Sequence, residues 1–379
     1  MSTQTNKALR YTKRLVGFDT SSKLSNRLIC KYLEMKLTKH GFVVERVAYL
    51  DSNRVRKINL VAKKGAGHGG LAYFGHTDVV PARRWFTKKA GPFEPKIARD
   101  RLYGRGTCDM KGSIACMLTA VQRFSWDDLK KPFYFVLTAD EEIGFGGAKQ
   151  VVEESKYYRE MVDHQTKAII GEPTSLEVVH AHKGSCKITA VSRGVAAHSS
   201  GTAGRNANLD MIPFLAEMKS LHDESMQNTQ WQDEAFDPPT ISMNICVRDN
   251  MEAFNVTPSK SVCRMYVRSM PRVDMEPVYN RIRAAAKKHE VKLKMQPFNG
   301  FWSEPDSPFV ADTLQLVHKK TPRTVSFGTD GGVLTELQDK IVFGPGNIAQ
   351  AHTFDEWISL EQLEQGTEMY SKLIRHWCC

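Results

Sequence analysis

The feature that most constrains this chain is a series of short apolar runs, each followed by polar or charged residues. Four such runs lie at residues 58–62, 71–75, 133–138 and 168–170. Runs this short are typical of buried strands. Between the second and third run, apolar residues recur at helical spacing, at Ile114, Met117, Leu118, Val121 and Phe124. Strands that alternate with helices predict an α/β fold with a mainly parallel sheet covered by helices on both faces.

The pattern changes near residue 180. Strand-like and helical segments follow in the order βαββαβ, at residues 187–193, 209–221, 240–247, 261–269, 278–285 and 291–295. That order is typical of one small α+β domain, and α/β patterning returns after it. We therefore predict one α/β domain in two parts, residues 1–181 and 297–379, interrupted by an inserted α+β domain at residues 182–296.

Composition excludes several classes of protein. The 379 residues are 41% hydrophobic and 25% charged, as in a soluble globular protein. No apolar run approaches the roughly 20 residues of a membrane span, and the polar N-terminus predicts no secretory signal. We therefore expect a cytoplasmic protein without a membrane partner. The net charge of +11 is dispersed along the chain, so we expect a basic solvated surface and no nucleic-acid partner.

Eight cysteines are present, but the sequence has no CxxC pair. They predict free, reduced thiols and no disulfide framework.

Residues able to bind metal follow the predicted strands. His76 and Asp78 come directly after the run at 71–75, and they share one side of an extended segment. Asp109 precedes the helix that contains Ile114. Further acidic residues and a histidine follow the later strands, at Asp140, Glu141, Glu142, Glu172 and His352. Open α/β sheets bind their ligands at this edge.

The chemistry of this set indicates divalent cations. Three successive carboxylates after a buried strand, at residues 140–142, repel one another unless a cation lies nearby. Imidazole and carboxylate without thiolate favour zinc, cobalt or manganese. Two metals need a bridging carboxylate and a water, and a spare carboxylate can then move the proton of that water. From the residues alone we predict a two-metal hydrolase, without identifying the bond that it cleaves.

Six motifs resemble the dinuclear metallopeptidase family that contains acetylornithine deacetylase, succinyl-diaminopimelate desuccinylase, aminoacylases and carboxypeptidase G. The motifs are GHTDVVP (75–81), LYGRGTCDMKG (102–112), ADEEIG (139–144), IIGEPTSLEVVHAHKG (169–184), AAHSS (196–200) and FGPGNIAQAHTFDEW (343–357). They span nearly the whole chain in family order. Within the family, the fourth and sixth motifs and the overall length are most similar to acetylornithine deacetylase.

The resemblance implies a role for each matching residue. His76 and Glu172 would bind one metal, Glu142 and His352 the other, and Asp109 would bridge the two. Two divalent metal ions per subunit are implied, with zinc as the first choice and cobalt or manganese as alternatives.

Further roles follow from the same resemblance. Glu141 would be the general base, and Asp78 would orient His76. His198 would polarise the scissile carbonyl, and in the family this histidine reaches the active site of the neighbouring subunit of a dimer. Positions that match substrate-binding sites or the substrate-side loop are Asn255, Arg268, Gly328, Thr329, Asp330 and Gly331.

The implied reaction is hydrolysis of N2-acetylornithine, or of a close N-acyl amino acid, to acetate and the free amino acid. The implied assembly is a homodimer, in which the inserted domain serves dimerisation or closes over the catalytic domain. Desuccinylase, aminoacylase and carboxypeptidase activities at the same metal site stay open as alternatives. A protein of another class, either non-catalytic or nucleic-acid-binding, is the remaining alternative.

Overall fold

The computed structural model describes residues 3–82, 84–87, 90–250 and 253–379, and the side chains from residue 6 onward. The chain divides into two compact units. The first contains Met1–Ala181, Ser303–Arg323 and Thr329–Cys379, and the second contains His182–Trp302 and Thr324–Gly328. The sequence predicted that the inserted domain ends at residue 296. The corresponding stretch of the second unit ends at Trp302, beyond its last long strand, which continues to residue 298.

The strands of the described residues are numbered in chain order. They are β1 Val43–Leu50, β2 Arg56–Lys64, β3 Leu71–His76, β4 Lys96–Ala98, β5 Arg101–Tyr103, β6 Phe133–Thr138, β7 Lys167–Ile170, β8 Val179–His182, β9 Gly184–Arg193, β10 Ser242–Asp249, β11 Lys260–Ser269, β12 Lys292–Phe298, β13 Phe301–Trp302, β14 Arg323–Val325, β15 Lys340–Val342 and β16 Trp357–Ser359.

The α-helices are numbered in the same way. They are α1 Thr3–Val16, α2 Arg27–Lys39, α3 Lys111–Val121, α4 Glu141–Gly144, α5 Gly146–Glu154, α6 Lys156–Asp163, α7 Ala207–Ser225, α8 Glu276–Lys288, α9 Pro308–Leu316 and α10 Leu360–Cys378. Within the described residues, none of these helices is both long enough and apolar enough to cross a membrane.

A mixed sheet with a parallel centre organises the first unit. Its strand order is β1-β2-β6-β3-β7-β15-β8. The four central strands, β6, β3, β7 and β15, run parallel to one another, whereas β1, β2 and β8 pair in antiparallel fashion. The predicted α/β class with a mainly parallel sheet is confirmed. Because parallel neighbours end at the same edge, the residues that follow β3, β6, β7 and β15 are brought close together.

Helices cover both faces of this sheet. On one face, α1, α2, α3, α9 and α10 pack against alternate strand residues such as Tyr73, Phe135 and Ile341. On the other face, α5 and α6 contribute the buried side chains of Val151 and Tyr158. Strands covered on both faces are apolar at nearly every position, and this is why β3, β6 and β7 were recognisable in the sequence.

Strand β1 and helix α1 are among the elements of the first unit that were not predicted. The edge strand β1 is mostly exposed, with Val47 as its one fully buried residue among the eight. Helix α1 is polar overall and buries Ala8, Leu15 and Val16 on one side. Neither contains the uninterrupted apolar run that marks a buried strand.

The second unit contains the predicted βαββαβ order. Strands β9, β10, β11 and β12 form a sheet in the order β10-β11-β9-β12, and all three pairings are antiparallel. Helix α7 follows β9 and helix α8 follows β11, and both pack on this sheet. The two edge strands are therefore β10 and β12.

Gly171 provides a test of packing next to the candidate site. A Cβ atom at this position would lie 2.3 Å from the Tyr73 hydroxyl and 2.6 Å from Ser113 Oγ. Both partners are buried and hydrogen-bonded to each other at 2.8 Å. We expect Gly171→Ala to lower the free energy of unfolding by about 1–3 kcal/mol, as overpacked cores do. Thermal denaturation measures the effect.

The control for this experiment is Gly91→Ala. There the nearest atoms to a new Cβ belong to the flexible Glu94 side chain, 3.8 Å away, so no loss of stability is expected. Equal melting temperatures for the two variants would contradict the packing argument.

Candidate metal centre

The carboxyl ends of the parallel strands bring the predicted metal ligands together. His76 is the last residue of β3 and lies opposite Thr138, the last residue of β6. Glu142 follows β6 within four residues, and Glu172 follows β7 within two. The loop after β15 carries His352. All of these residues belong to the first unit.

Asp109 lies at the centre of the group and faces a different histidine with each oxygen. Its Oδ1 atom is 2.9 Å from His76 Nε2, and its Oδ2 atom is 3.2 Å from His352 Nε2. Glu172 Oε1 lies 3.6 Å from His76 Nε2, and Glu142 Oε2 lies 3.0 Å from His352 Nε2. This is the arrangement expected of a carboxylate shared between two cations.

Two groups of three ligand atoms can each hold a metal ion. One consists of His76, Asp109 and Glu172, and the other of Asp109, Glu142 and His352; within each group the ligand atoms lie within 4.8 Å of one another. Both groups combine one imidazole with two carboxylates and contain no thiolate. This donor set fits zinc, cobalt or manganese.

The hydrogen bonds of His76 define its tautomer. Nδ1 lies 3.0 Å from the backbone oxygen of Asp78, and because a carbonyl oxygen only accepts, Nδ1 carries the proton. In the neutral imidazole that a metal ligand requires, the lone pair is then on Nε2, which faces Asp109 and Glu172. The carboxylate of Asp78 is farther from Nδ1, at 3.7 Å.

The Asp78 carboxylate is buried and contacts the turn after β6. Its Oδ1 atom accepts a hydrogen bond from the backbone N–H of Glu141 at 3.2 Å. Its Oδ2 atom accepts from the Ser22 hydroxyl at 3.0 Å and from the backbone N–H of Glu142 at 3.4 Å. Asp78 therefore holds the turn that presents Glu141, while its orienting effect on His76 stays a prediction.

Negative charge is concentrated in this site. Burial raises the pKa of Glu172 well above its usual range, and repulsion from Asp109 adds to the shift. Burial also raises the pKa values of Glu141 and Glu142. Burial lowers the pKa of His76, but the Glu172 and Asp109 carboxylates outweigh it and the pKa rises well above normal. Bound cations would favour the ionised carboxylates and the neutral imidazole.

Glu356 is a site residue that the sequence analysis did not assign. Its Oε1 atom accepts hydrogen bonds from the backbone N–H groups of Gly106, Cys108 and Asp109 at 2.9–3.1 Å. Its Oε2 atom accepts from Arg105 at 2.6 Å. This buried carboxylate fixes the loop that carries Asp109. The motif at 343–357 contains Glu356, but its partners are about 250 positions away in the sequence.

His198 and Asn255 belong to the second unit, where their backbone segments are neighbours. The N–H of Ser199 donates to the backbone oxygen of Asn255 at 2.8 Å. The side chain of His198 is exposed, and its Nδ1 atom lies 2.7 Å from Ser200 Oγ. Asn255 is also exposed. The structure therefore brings these two predicted residues together.

The other two predicted substrate residues of the second unit lie elsewhere in it. Arg268 is on β11, with its guanidinium group 4.7 Å from the centre of the Tyr266 ring. Gly328 lies beside Phe298, whose ring would be 3.3 Å from a Cβ at this glycine. Their roles in binding substrate stay predictions.

The loop beyond Gly328 returns to the first unit. Thr329 is buried, and its hydroxyl accepts a hydrogen bond from the N–H of Gly331 at 3.0 Å. Asp330 accepts from the Thr138 hydroxyl at 2.6 Å, at the end of β6. Burial raises the pKa of Asp330 to about 6. Asp330 thus adds another buried carboxyl group near the candidate centre.

Comparison with known proteins places the chain in one family of peptidases. The sequence profile of the family described as peptidase family M20/M25/M40 matches residues 72–376. The chain is 35% identical to an acetylornithine deacetylase of Myxococcus xanthus, with 98% of each chain covered. It is 30% identical to an acetylornithine deacetylase of Vibrio atlanticus, with 98% of this chain and 97% of the relative covered.

Solved structures share the fold at lower sequence identity. An M20 family metallo-carboxypeptidase of Sulfolobus solfataricus superimposes with a TM-score of 0.77 at 14% identity, over 99% of each chain. A dinuclear metal-binding peptidase of the M20 family from Bacillus subtilis gives a TM-score of 0.63 at 14% identity, over 98% of each chain.

The titration of this site predicts how pH affects the metal-free protein. Hydrogen bonds with Asp109 and Glu142 raise the pKa of His352 from 6.5 to about 10. Its stabilising contribution is therefore complete below about pH 6.5 and is lost as the pH rises through about 10. The pKa values of some carboxyl groups, such as Glu172, are raised in the folded protein. Their ionisation at increasing pH also lowers the stability of the fold. We expect the melting temperature of chelator-treated protein to fall between pH 6 and pH 9.

Adding zinc should flatten or reverse the slope of melting temperature against pH, because cation binding requires the deprotonated ligands. Calorimetry of treated and reconstituted protein measures both slopes. The control His376→Asn removes an imidazole outside the site and should leave them unchanged. Identical slopes with and without metal would contradict the prediction.

Proposed function

The chain belongs to peptidase family M20/M25/M40, and from this membership we propose that it removes the acetyl group of N2-acetylornithine, or of a close N-acyl amino acid. The products are acetate and the free amino acid. The observation that carries the proposal is the position of Asp109, whose two oxygens face His76 and His352. The two relatives named acetylornithine deacetylase, which match nearly the whole chain, support the choice of substrate.

We propose that two divalent cations per subunit complete the site, with zinc as the first choice and cobalt or manganese as alternatives. His76 and Glu172 would hold one ion and Glu142 and His352 the other, and Asp109, which belongs to both groups, would contribute to each site. When bound, the two ions supply the Lewis acidity that polarises an acyl carbonyl and acidifies a water molecule.

Glu141 is the proposed general base. Its backbone N–H is held by Asp78, and burial raises the pKa of its carboxyl group well above the usual range. A carboxylate with a raised pKa accepts a proton from water more readily. The hydroxide formed from this water adds to the acyl carbon, the amide C–N bond breaks, and Glu141 returns the proton to the departing nitrogen. Asp78 supports this step by fixing the turn.

The second unit supplies the proposed substrate contacts. We propose that His198 polarises the acyl oxygen at the metal centre of the neighbouring subunit in a homodimer. Asn255 and Arg268 hold the substrate carboxylate. Gly328 and Thr329, where the chain passes back to the first unit, belong to the substrate-side loop. The exposed edge strand β10 supports dimer formation, because an unpaired edge can pair with a second copy. A cytoplasmic location stays a prediction.

Replacing the proposed base gives the most direct test. We expect Glu141→Gln to lower kcat for N2-acetylornithine by about 10²–10⁴-fold, the usual contribution of general acid–base catalysis. The metal content should stay at two ions per chain, since Glu141 belongs to neither ligand group. Acetate release and elemental analysis measure the two quantities. The control Glu154→Gln changes an exposed carboxylate and should behave like the wild type. Full activity of Glu141→Gln would refute the assignment.

A substrate panel separates the alternatives. Metal-reconstituted protein is assayed with N2-acetylornithine, N-acetylmethionine, N-succinyl-diaminopimelate and a glutamate-terminated peptide, each with and without a chelator. We expect chelator-sensitive hydrolysis with preference for N2-acetylornithine. Preference for another compound would move the substrate assignment, and hydrolysis that resists the chelator would contradict the metal mechanism.

Mixed dimers test whether His198 acts across subunits. Glu141→Gln and His198→Ala chains are each expected to be inactive alone. In a mixed dimer, the His198→Ala chain keeps Glu141 and receives an intact His198 from its partner. We therefore expect co-refolding of equal amounts to restore about a quarter of the wild-type kcat, because half of the dimers are mixed and each has one complete site. No recovery, with mixed dimers shown by native mass spectrometry, would place His198 in its own subunit's site.

A further inference from the structure

We propose that Lys57 is a positioning residue for this reaction. Its buried ammonium group, together with the Tyr49 hydroxyl, holds Asp140 in the turn from which Glu141 and Glu142 extend. The inference rests on the proposed function for the roles of Glu141 and Glu142, and it adds residues outside the ligand set that keep them in place.

Lys57 is almost completely buried, with 1% of its surface exposed. Its Nζ atom donates to Asp140 Oδ1 at 2.6 Å and to the backbone oxygens of Ser22 at 2.6 Å and Leu24 at 2.9 Å. An ammonium group has three protons, and each has an acceptor here. Burying a lysine is unfavourable unless its charge is paired and hydrogen-bonded, so these contacts account for its presence in the interior.

Tyr49 completes the contacts of Asp140 from the neighbouring strand. It lies directly opposite Lys57 in the antiparallel register of β1 and β2, and opposed residues of two strands point to the same face. The Tyr49 hydroxyl donates to Asp140 Oδ2 at 2.7 Å. Each oxygen of the Asp140 carboxylate is therefore bound by one member of a cross-strand pair.

Asp140 has a backbone conformation that needs such support. Its φ and ψ angles are 57° and 28°, in the left-handed region that non-glycine residues seldom adopt. It immediately precedes α4, whose first two residues are Glu141 and Glu142. Since β6 ends two residues earlier, the conformation of Asp140 determines the direction in which the proposed base and the proposed ligand leave the sheet.

Lys57 is also connected to Asp78, through hydrogen bonds with Ser22. Lys57 binds the backbone oxygen of Ser22, and the Ser22 hydroxyl donates to Asp78 Oδ2 at 3.0 Å. Asp78 in turn accepts the backbone N–H of Glu141. One ammonium group thus anchors the turn from both sides. If Lys57 served only to fill the interior, its loss would lower stability without a specific effect on metal binding or turnover.

The experiment compares Lys57→Met with Lys64→Met. Lys64 is a matched control, because it lies on the same strand, is buried, and donates to the backbone oxygen of Phe124. Two experiments are done on folded, metal-reconstituted protein, one kinetic and one of metal binding. The first measures kcat and KM for the best substrate of the panel, and the second measures zinc affinity in competition with a chromogenic chelator.

We expect Lys57→Met to lower kcat at least tenfold with KM changed less than twofold, and to weaken binding of one of the two zinc ions at least tenfold. Lys64→Met also removes a buried ammonium group, so it should lower the melting temperature but leave kcat and both zinc affinities within twofold of the wild type. Tyr49→Phe removes one hydroxyl and should shift kcat and zinc affinity in the same direction by about threefold.

Wild-type kcat and zinc affinities in Lys57→Met would overturn the proposal and leave Lys57 with a structural role. Should Lys57→Met fail to fold, Tyr49→Phe decides, because wild-type values for both quantities in that variant would equally overturn it. The zinc titration needs no substrate. A wild-type protein that binds two zinc ions and hydrolyses none of the panel would refute the proposed function while leaving the Lys57 test in force.

Discussion

Mutual repulsion among buried carboxylates is the constraint on which the structure of the first unit depends. Asp109, Glu142 and Glu172 meet around two imidazoles at one edge of the sheet, where burial penalises every charge. Hydrogen-bond donors stabilise the neighbouring carboxylates. Backbone N–H groups bind Asp78, and Lys57 binds Asp140. These contacts leave the central carboxylates to be balanced by cations, so that ion binding and the local fold are coupled.

The topology explains why so few residues suffice to build the site. His76 is the last residue of β3 and Glu172 follows β7 by two residues, and the four central strands run in the same direction. A side chain placed just beyond a strand end is fixed by the sheet and needs little support of its own. The exceptions are the loop with Asp109 and the turn at Asp140, which leave the regular elements. At each of these places a buried charged residue, Glu356 or Lys57, makes several hydrogen bonds to the chain.

The sequence predicted those parts of the molecule whose signal is local. Strands β3 and β6 were evident because both of their faces are buried, and His76 was evident because it follows one of them directly. The roles of Glu356 and Lys57 have no local signal, since Glu356 binds the Asp109 loop about 250 positions away and Lys57 binds Asp140 83 positions away. Strand β1 escaped prediction because it lies at an exposed edge, yet it supplies Tyr49.

The order of the ligands along the chain has a consequence for biosynthesis. A nascent polypeptide that has emerged as far as Glu172 already contains His76 and Asp109, and so every ligand of one metal group. His352 comes 180 residues later, after the whole of the second unit has been translated. The residues of one candidate metal group are thus all translated before the second unit, whereas the other group lacks its imidazole until His352 has emerged.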